Sequence, residues 1–396
     1  MKKITVFGIL NINNGGDEIL KDTTIHILNQ ISDFEIKSRQ MIPLYRELGI
    51  SYLFEWCIGS GLIRLSYRLR GNISYRLFNI GYMISNFRYL WKSTNNTDGI
   101  VYAIGMLKYS TQDLSYAFDL INRIASFRKI PVMISAASVE KPDDNDWRYH
   151  QLIRAVNRSA VKFITTRDGK WGLERLQKYY VKRNNIVTDF VGDPALWIPE
   201  CYKTKREYVT SASVSNKIRL GINLIRKDIY DDYDGGLESA ELKDFYLSLI
   251  RHFQQRDDVE FSLFCNGTDS DFSFGLELIS ILRLDKKKLL PKPQSAIELV
   301  EIISGFDAVF GARLHSCIIP TSLRIPISGI IWDDKLKFFS MSVGINDYFS
   351  GVDEVKSLAA IQKVEKSFTH NYNEDLIDGL KNKTARYIAD FVHDWL

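Results

Sequence analysis

Phe306-Asp307-Ala308-Val309-Phe310 is an apolar run carrying one acid, and Gly311-Ala312-Arg313-Leu314-His315-Ser316 follows it directly. The first run reads as a buried strand, and Leu314 to Leu323 reads as a helix. An arginine and a histidine therefore fall at a strand-to-helix turn, beside the N–H groups that open a helix. Such a place attracts anions. Arg313 has a planar fork suited to a carboxylate or phosphate, and His315 can exchange a proton near neutral pH. A surface arginine and a satisfied histidine at an ordinary helix start fit the same residues equally well. The surroundings have to decide.

Outward from this turn the chain alternates strands and helices in both directions. Ile218–Ile225, Val259–Cys265 and Ile327–Ile331 read as strands, with helical patterns over Ser239–Gln255, Phe272–Leu284 and Ser295–Ser304. Nearer the N-terminus, Lys3–Leu10, Phe34–Lys37, Ile100–Gly105, Pro131–Ser135, Val161–Thr165 and Ile186–Val191 read as strands, and Asp17–Ile31 as the first helix. This alternation predicts an α/β protein with two Rossmann-like parallel-sheet domains facing a cleft. Residues 199 to 216 are polar and aperiodic, as expected of a linker or surface loop. The expected division is residues 1–200, residues 201–350, and a helical tail over 351–396 that packs across the domains.

The 396 residues are too many for one compact core and sufficient for two. A net charge of +4 is mild, and no zinc-finger or other nucleic-acid signature accompanies it. Cys57, Cys201, Cys265 and Cys317 show no paired spacing, which argues against a disulfide framework or structural zinc and fits a reducing cytoplasm. The basic-then-apolar start, Met1 to Phe7, is soon broken by Asn11, Asn13 and Asn14, so it reads as a first strand rather than a secretory leader. No uncharged apolar run reaches transmembrane length.

Other strand ends carry polar turns. Asn14-Gly15-Gly16-Asp17 precedes the first helix; its glycines permit close backbone approach, and Asp17 also suits an ordinary helix cap. It is neither the dinucleotide GxGxxG pattern nor a P-loop. Arg167-Asp168 closes one strand and opens a helix, and Asp193-Pro194-Ala195 closes another. No His/Cys/carboxylate cluster has metal-ligand spacing, and Asp333-Asp334 alone reads as a solvated turn or helix cap.

Taken in order, Asn14-x-Gly16-Asp17-Glu18-x-Leu20, Arg167-Asp168, Asp193-Pro194-Ala195, Gly221-Ile222-Asn223, Gly311-x-Arg313-Leu314-His315 and Asp333-Asp334-Lys335 resemble the polysaccharide pyruvyltransferase family, over roughly residues 3 to 345. The family is similar to GT-B glycosyltransferases. The resemblance implies transfer of pyruvate from phosphoenolpyruvate to a sugar of a bacterial surface polysaccharide or its lipid-linked precursor, giving a pyruvate ketal. It makes phosphoenolpyruvate a substrate, with no cofactor and no metal. It puts the acceptor side in the first domain and the donor side in the second. Arg313, Leu314 and His315 match the donor motif, Arg167 and Asp168 the Arg-Asp turn, and Asn14, Gly16 and Asp17 the N-terminal turn, with Gly15 between them. His315, Asp17 and Asp168 are the acid–base candidates; Arg313 and Arg167, with Lys335 behind them, are the cations for the donor. Family members usually carry a run of glycines after the strand Ile100–Ile104, where this chain keeps only Gly105. That wall of the site is expected to differ. A nucleotide-sugar glycosyltransferase and a catalytically silent glycan-binding protein are the rival readings on the same fold.

Residues 56 to 92 contain Arg64, Arg68, Arg70, Arg76, Arg88 and Lys92, no acid, and interleaved aromatic residues. They read either as core aromatics with arginines on the solvated side, or as a peripheral contact with an anionic membrane or acceptor. The expected location is cytoplasmic, at the inner face of the membrane under the second of these readings.

Overall fold

The structure, a computed structural model, describes residues 1–9, 15–42, 53–69, 71–110, 114–204, 217–232 and 236–396. Asn14 and most of the polar stretch expected to be a linker lie outside the described residues. By internal contacts the chain forms two compact units: Met1–Ile12 with Thr24–Val191 and Thr384–Leu396, and Asn13–Thr23 with Gly192–Lys383. This division falls at 191/192, and it assigns the turn before the first helix to the second unit. The expected tail is divided as well, residues 351–383 counting with the second unit and 384–396 with the first.

The first unit is built on a parallel sheet of β1 (Lys2–Gly8), β2 (Phe34–Gln40), β3 (Gly99–Ala103), β5 (Val132–Ser135), β7 (Val161–Thr166) and β8 (Val187–Phe190), in the order β2-β1-β3-β5-β7-β8. A further small parallel pair joins β4 (Met106–Leu107) and β6 (Ser138–Val139). Every residue of β3 and β5 is buried, as expected where helices cover both faces. The edge strand β2 is half-buried and carries Glu35 between Lys3 (2.9 Å) and Lys37 (3.0 Å), charges that discourage further strand pairing. Because β2 and β3 both pair with β1, the winding direction reverses between β1 and β3. Open α/β sheets bind ligands beyond the carboxyl ends of the strands at such a reversal.

Helix α1 (Gly15–Ile31) leaves β1, and two further helices, α2 (Leu53–Ser66) and α3 (Gly71–Ser93), form a hairpin before β3. In α4 (Leu114–Arg128), eleven residues between Leu114 and Ala125, Phe118 and Ile121 among them, are buried. The aromatics between 56 and 92 divide: Phe78 and Tyr82 are core, while Tyr67 and Phe87 are exposed. The segment thus supplies aromatic side chains both to the core and to the surface.

The second unit repeats the plan with β9 (Ile218–Asn223), β10 (Val259–Phe264), β11 (Ala308–Gly311), β12 (Ile327–Ile330) and β13 (Phe349–Ser350), all parallel, in the order β10-β9-β11-β12-β13. Its reversal lies between β9 and β11. The helix expected from residue 272 starts earlier, as α5 (Asp269–Leu282), and α6 (Leu314–Ser322) follows β11. The sheet and its helices bury Phe245, Tyr246, Phe264 and Phe310 almost completely. All four cysteines are free thiols.

Candidate functional site

The second sheet's reversal is organised by one amide. Asn223 ends β9 and is fully buried. Its Oδ1 accepts from the N–H of Arg313 at 3.0 Å and of Ala312 at 3.3 Å, and from Ser316 Oγ at 2.7 Å. Its Nδ2 donates to Asn266 Oδ1 at 2.9 Å, beyond the end of β10. Tyr246 donates its hydroxyl to the Asn223 carbonyl at 3.0 Å, and burial holds that phenol well above its ordinary range, so it remains a donor. The ends of β9, β10 and β11 are thereby tied together. Buried polar groups paired in this way fix a geometry, because breaking any one bond strands a desolvated partner.

Arg313 leaves this turn toward Asp271 in the first turn of α5. Its Nε and Nη2 meet the carboxylate at 2.9 and 2.7 Å. Asp271 is fully buried and also accepts from the Arg226 N–H at 2.9 Å. The edge of the fork that the sequence suggests for a ligand is therefore joined to a protein carboxylate. The Nη1 end of the guanidinium lies outside that pair. Leu314 is the half-buried first residue of α6.

His315 is 7% exposed, and its ring lies against Gly16. A Cβ built on Gly16 would fall 2.0 Å from Nδ1 and 2.5 Å from Cγ of that ring. Any side chain there would occupy the space of the imidazole. The openings of α1 and α6 thus adjoin at one histidine, and both helix N-termini carry partial positive charge. Part of the first turn of α1 is held in place: Gly15 N–H donates to Asn266 O at 3.2 Å, and Glu18 accepts from the Ala296 N–H at 2.9 Å. Asp17 is half-buried inside this turn, two residues past the helix start, not at the cap position read from the sequence. Lys335 pairs with Asp333 at 3.0 Å, and Asp333 caps the helix Asp334–Ser342 through the Leu336 N–H.

The first unit has its own constellation at the ends of β3, β5 and β7. Arg167, 8% exposed, donates through Nη2 to the Gly105 carbonyl at 2.7 Å and through Nε to Ser138 Oγ at 3.2 Å. Asp168 accepts from Ser138 Oγ at 2.7 Å and from the Val139 N–H at 2.8 Å. It makes no side-chain cap bond to the helix Gly169–Arg175, so the simple capping reading fails. The same unit holds a cavity of about 530 Å³ whose lining includes Tyr67, Phe78, Tyr116 and Trp147 with Asp143, Asn145 and Arg148. Aromatic faces beside amide, carboxylate and guanidinium groups suit a polyhydroxylated ligand.

Sequence reasoning passed over Asp271 and Asn266, and saw Asn223 only as part of a short motif. Asp271 sat just ahead of the predicted helix, where no periodicity marked it. Among the described residues no group of three or more His, Cys, Asp or Glu side chains is arranged to hold a metal ion.

Fold and site together define an α/β protein of the GT-B-like class, with a histidine-bearing turn at its second sheet's reversal. The chain belongs to the polysaccharide pyruvyl transferase family, whose model matches residues 14–334, a span that includes both the Gly15–Asp17 and Arg313–His315 turns. No curated protein matches the sequence. Among solved structures it is similar to the UDP-GlcNAc 2-epimerase of Methanocaldococcus jannaschii in complex with UDP-GlcNAc and UDP, with a TM-score of 0.58 at 15% identity over 99% of this chain and 100% of that one. The Neisseria meningitidis UDP-GlcNAc 2-epimerase gives 0.59 at 12% over 100% of both chains. The Rickettsia bellii enzyme of that name gives 0.55 at 12% over 100% and 96%. At such identities the likeness is one of fold.

Proposed function

We propose that the protein transfers pyruvate from phosphoenolpyruvate to a sugar of a bacterial surface polysaccharide or its lipid-linked precursor, in the cytoplasm, and forms a pyruvate ketal. The carrying observation is the seating of His315 against Gly16, where two helix openings adjoin inside the span matched by the family. A dianionic or trianionic donor suits that place, with the Nη1 end of Arg313 and the two helix N-termini as its electrostatic counterpart. His315 then delivers a proton to the methylene carbon of phosphoenolpyruvate. One sugar hydroxyl attacks the resulting oxocarbenium-like carbon and loses its proton. A second hydroxyl displaces phosphate, which closes the ketal and releases inorganic phosphate. Asp17, one residue from the contact with His315, is the nearer carboxylate in sequence to accept a hydroxyl proton. Asp168, already accepting two hydrogen bonds, is better suited to holding Arg167 and Ser138. The aromatic-lined cavity of the first unit suits the acceptor sugar.

The test is release of inorganic phosphate from phosphoenolpyruvate, dependent on a saccharide acceptor, with a pyruvyl adduct found on that acceptor by mass spectrometry. The rival use of a nucleotide sugar predicts a rise in melting temperature with UDP or a UDP-sugar and none with phosphoenolpyruvate. That second pattern, without phosphate release, would replace the pyruvyl reading.

A further inference from the structure

We propose that the α2–α3 hairpin is a docking surface for an anionic lipid bilayer, a role separate from the chemistry of the second unit. The two helices meet through small residues: a Cβ on Gly81 would lie 2.6 Å from the Gly59 carbonyl, and one on Gly59 would lie 1.9 Å from Ser85 Oγ. Their backbones cross too closely for bulky side chains to sit between them at that point. Beside that crossing Leu62 and Ile63 of α2 pack against Gly81, and other large apolar residues of the hairpin remain exposed. One stripe of α3 is accounted for, since Phe78 and Tyr82 stack on Tyr116 of α4 at 4.3 and 5.6 Å.

A second stripe of α3, Ile73, Ile80, Met83 and Phe87, recurs at helical spacing and is exposed by 64, 45, 43 and 42%. On α2, Phe54 is 75% exposed and Ile58 and Leu65 more than 40%. Nine of the twenty large hydrophobic residues exposed among the described residues belong to this hairpin and its turn. That concentration makes a patch rather than the scatter normal on a soluble surface.

Charge selects the occupant. Arg64 of α2, Arg68 of the turn and Arg76 of α3 are exposed, and residues 56 to 92 hold no acid. The acid on α2, Glu55, is paired with Arg88 at 3.1 Å. A second copy of this chain would set the same cations against one another. An anionic bilayer offers headgroups for the guanidinium groups and an acyl boundary for the stripe. The contact is interfacial, since no described helix is long and apolar enough to cross a membrane.

The experiment is co-sedimentation of the full chain with vesicles of phosphatidylcholine alone and of phosphatidylcholine with phosphatidylglycerol, at low and high salt. Binding to the anionic vesicles, weakened by salt, is expected. It should fall about tenfold or more in Ile73→Ser/Ile80→Ser/Met83→Ser/Phe87→Ser. Arg64→Gln/Arg68→Gln/Arg76→Gln should bind about 100-fold less well. The arginine variant removes only exposed charge and keeps the test valid if the serine variant misfolds by circular dichroism. Absence of binding to anionic vesicles at low salt overturns the proposal, as does equal binding to both vesicle types. A concentration-dependent dimer lost in the serine variant, without vesicle binding, would assign the stripe to a second copy. None of these readings depends on phosphoenolpyruvate.

Discussion

Arg167 and Arg313 occupy the same kind of place, the end of a parallel strand where a helix begins, yet they are wired differently. Arg167 is buried and donates to a carbonyl and a hydroxyl, Gly105 O and Ser138 Oγ, so it laces adjacent strand ends together. Arg313 is more open, and its fork is neutralised by the fully buried Asp271. A sequence shows an arginine at a strand end in both cases. Only the fold shows that one braces a loop wall while the other anchors the shelf on which His315 stands. A strand-end arginine is therefore weak evidence for anion binding until its partners are known. The histidine beside a side-chain-free Gly16 is the more informative feature of the second turn.

The sharpest way to break this contrast is to remove the histidine. His315→Ala should lower kcat by about 10²- to 10⁴-fold, the usual contribution of a positioned acid–base group, with melting temperature little changed. Full activity in a folded His315→Ala protein would take the second turn out of the chemistry. Removing the two arginines should separate stability from catalysis. Arg313→Ala leaves Asp271 buried without its counter-charge and should cost about 3–5 kcal/mol in denaturant titration. Arg167→Ala loses the bonds to Gly105 O and Ser138 Oγ and should cost about 1–3 kcal/mol. Adding Asp271→Asn to Arg313→Ala should recover part of the loss; no recovery would mean that the pair is not what the arginine supports.

Gly16→Ala sharpens the comparison from the other side. The added methyl meets the imidazole, so His315 or the first turn of α1 has to shift, at a cost of about 1–3 kcal/mol. Activity should fall by more than the stability loss explains, because a displaced ring misses its proton transfer. Wild-type kcat in Gly16→Ala would show that the position of the ring is not critical.

Much of the fold was legible because strands buried on both faces leave uninterrupted apolar runs, as in Ile100–Ala103 and Ala308–Phe310. The Arg313-Leu314-His315 turn was legible because it lies between two such signals. The Arg313–Asp271 pair was not, since it joins residues 42 apart on different elements and no local periodicity encodes it. The contact of Gly16 with His315 was hidden more deeply. The strand–helix pattern around Gly16 is continuous with the first unit, yet residues 13–23 group with the second. The hairpin defeated a binary reading because α3 carries two apolar stripes, and sequence shows both without saying which one a neighbour covers.

The smallest expected effect concerns a second histidine of the same unit and serves as a control for the first. His370 lies between the rings of Tyr348 and Tyr372, each 4.6 Å away, and burial lowers its pKa below the ordinary 6.5. The folded state therefore holds this ring neutral more strongly than the unfolded chain does. Its contribution to stability is complete above the unfolded value and is lost as pH falls through that value toward the lower folded one. The melting temperature of the wild type should accordingly fall between neutral pH and pH ~5 by more than that of His370→Phe. Parallel melting curves for the two proteins would place the acid sensitivity elsewhere. Loss of the acid-side destabilisation in His370→Phe would assign it to this ring.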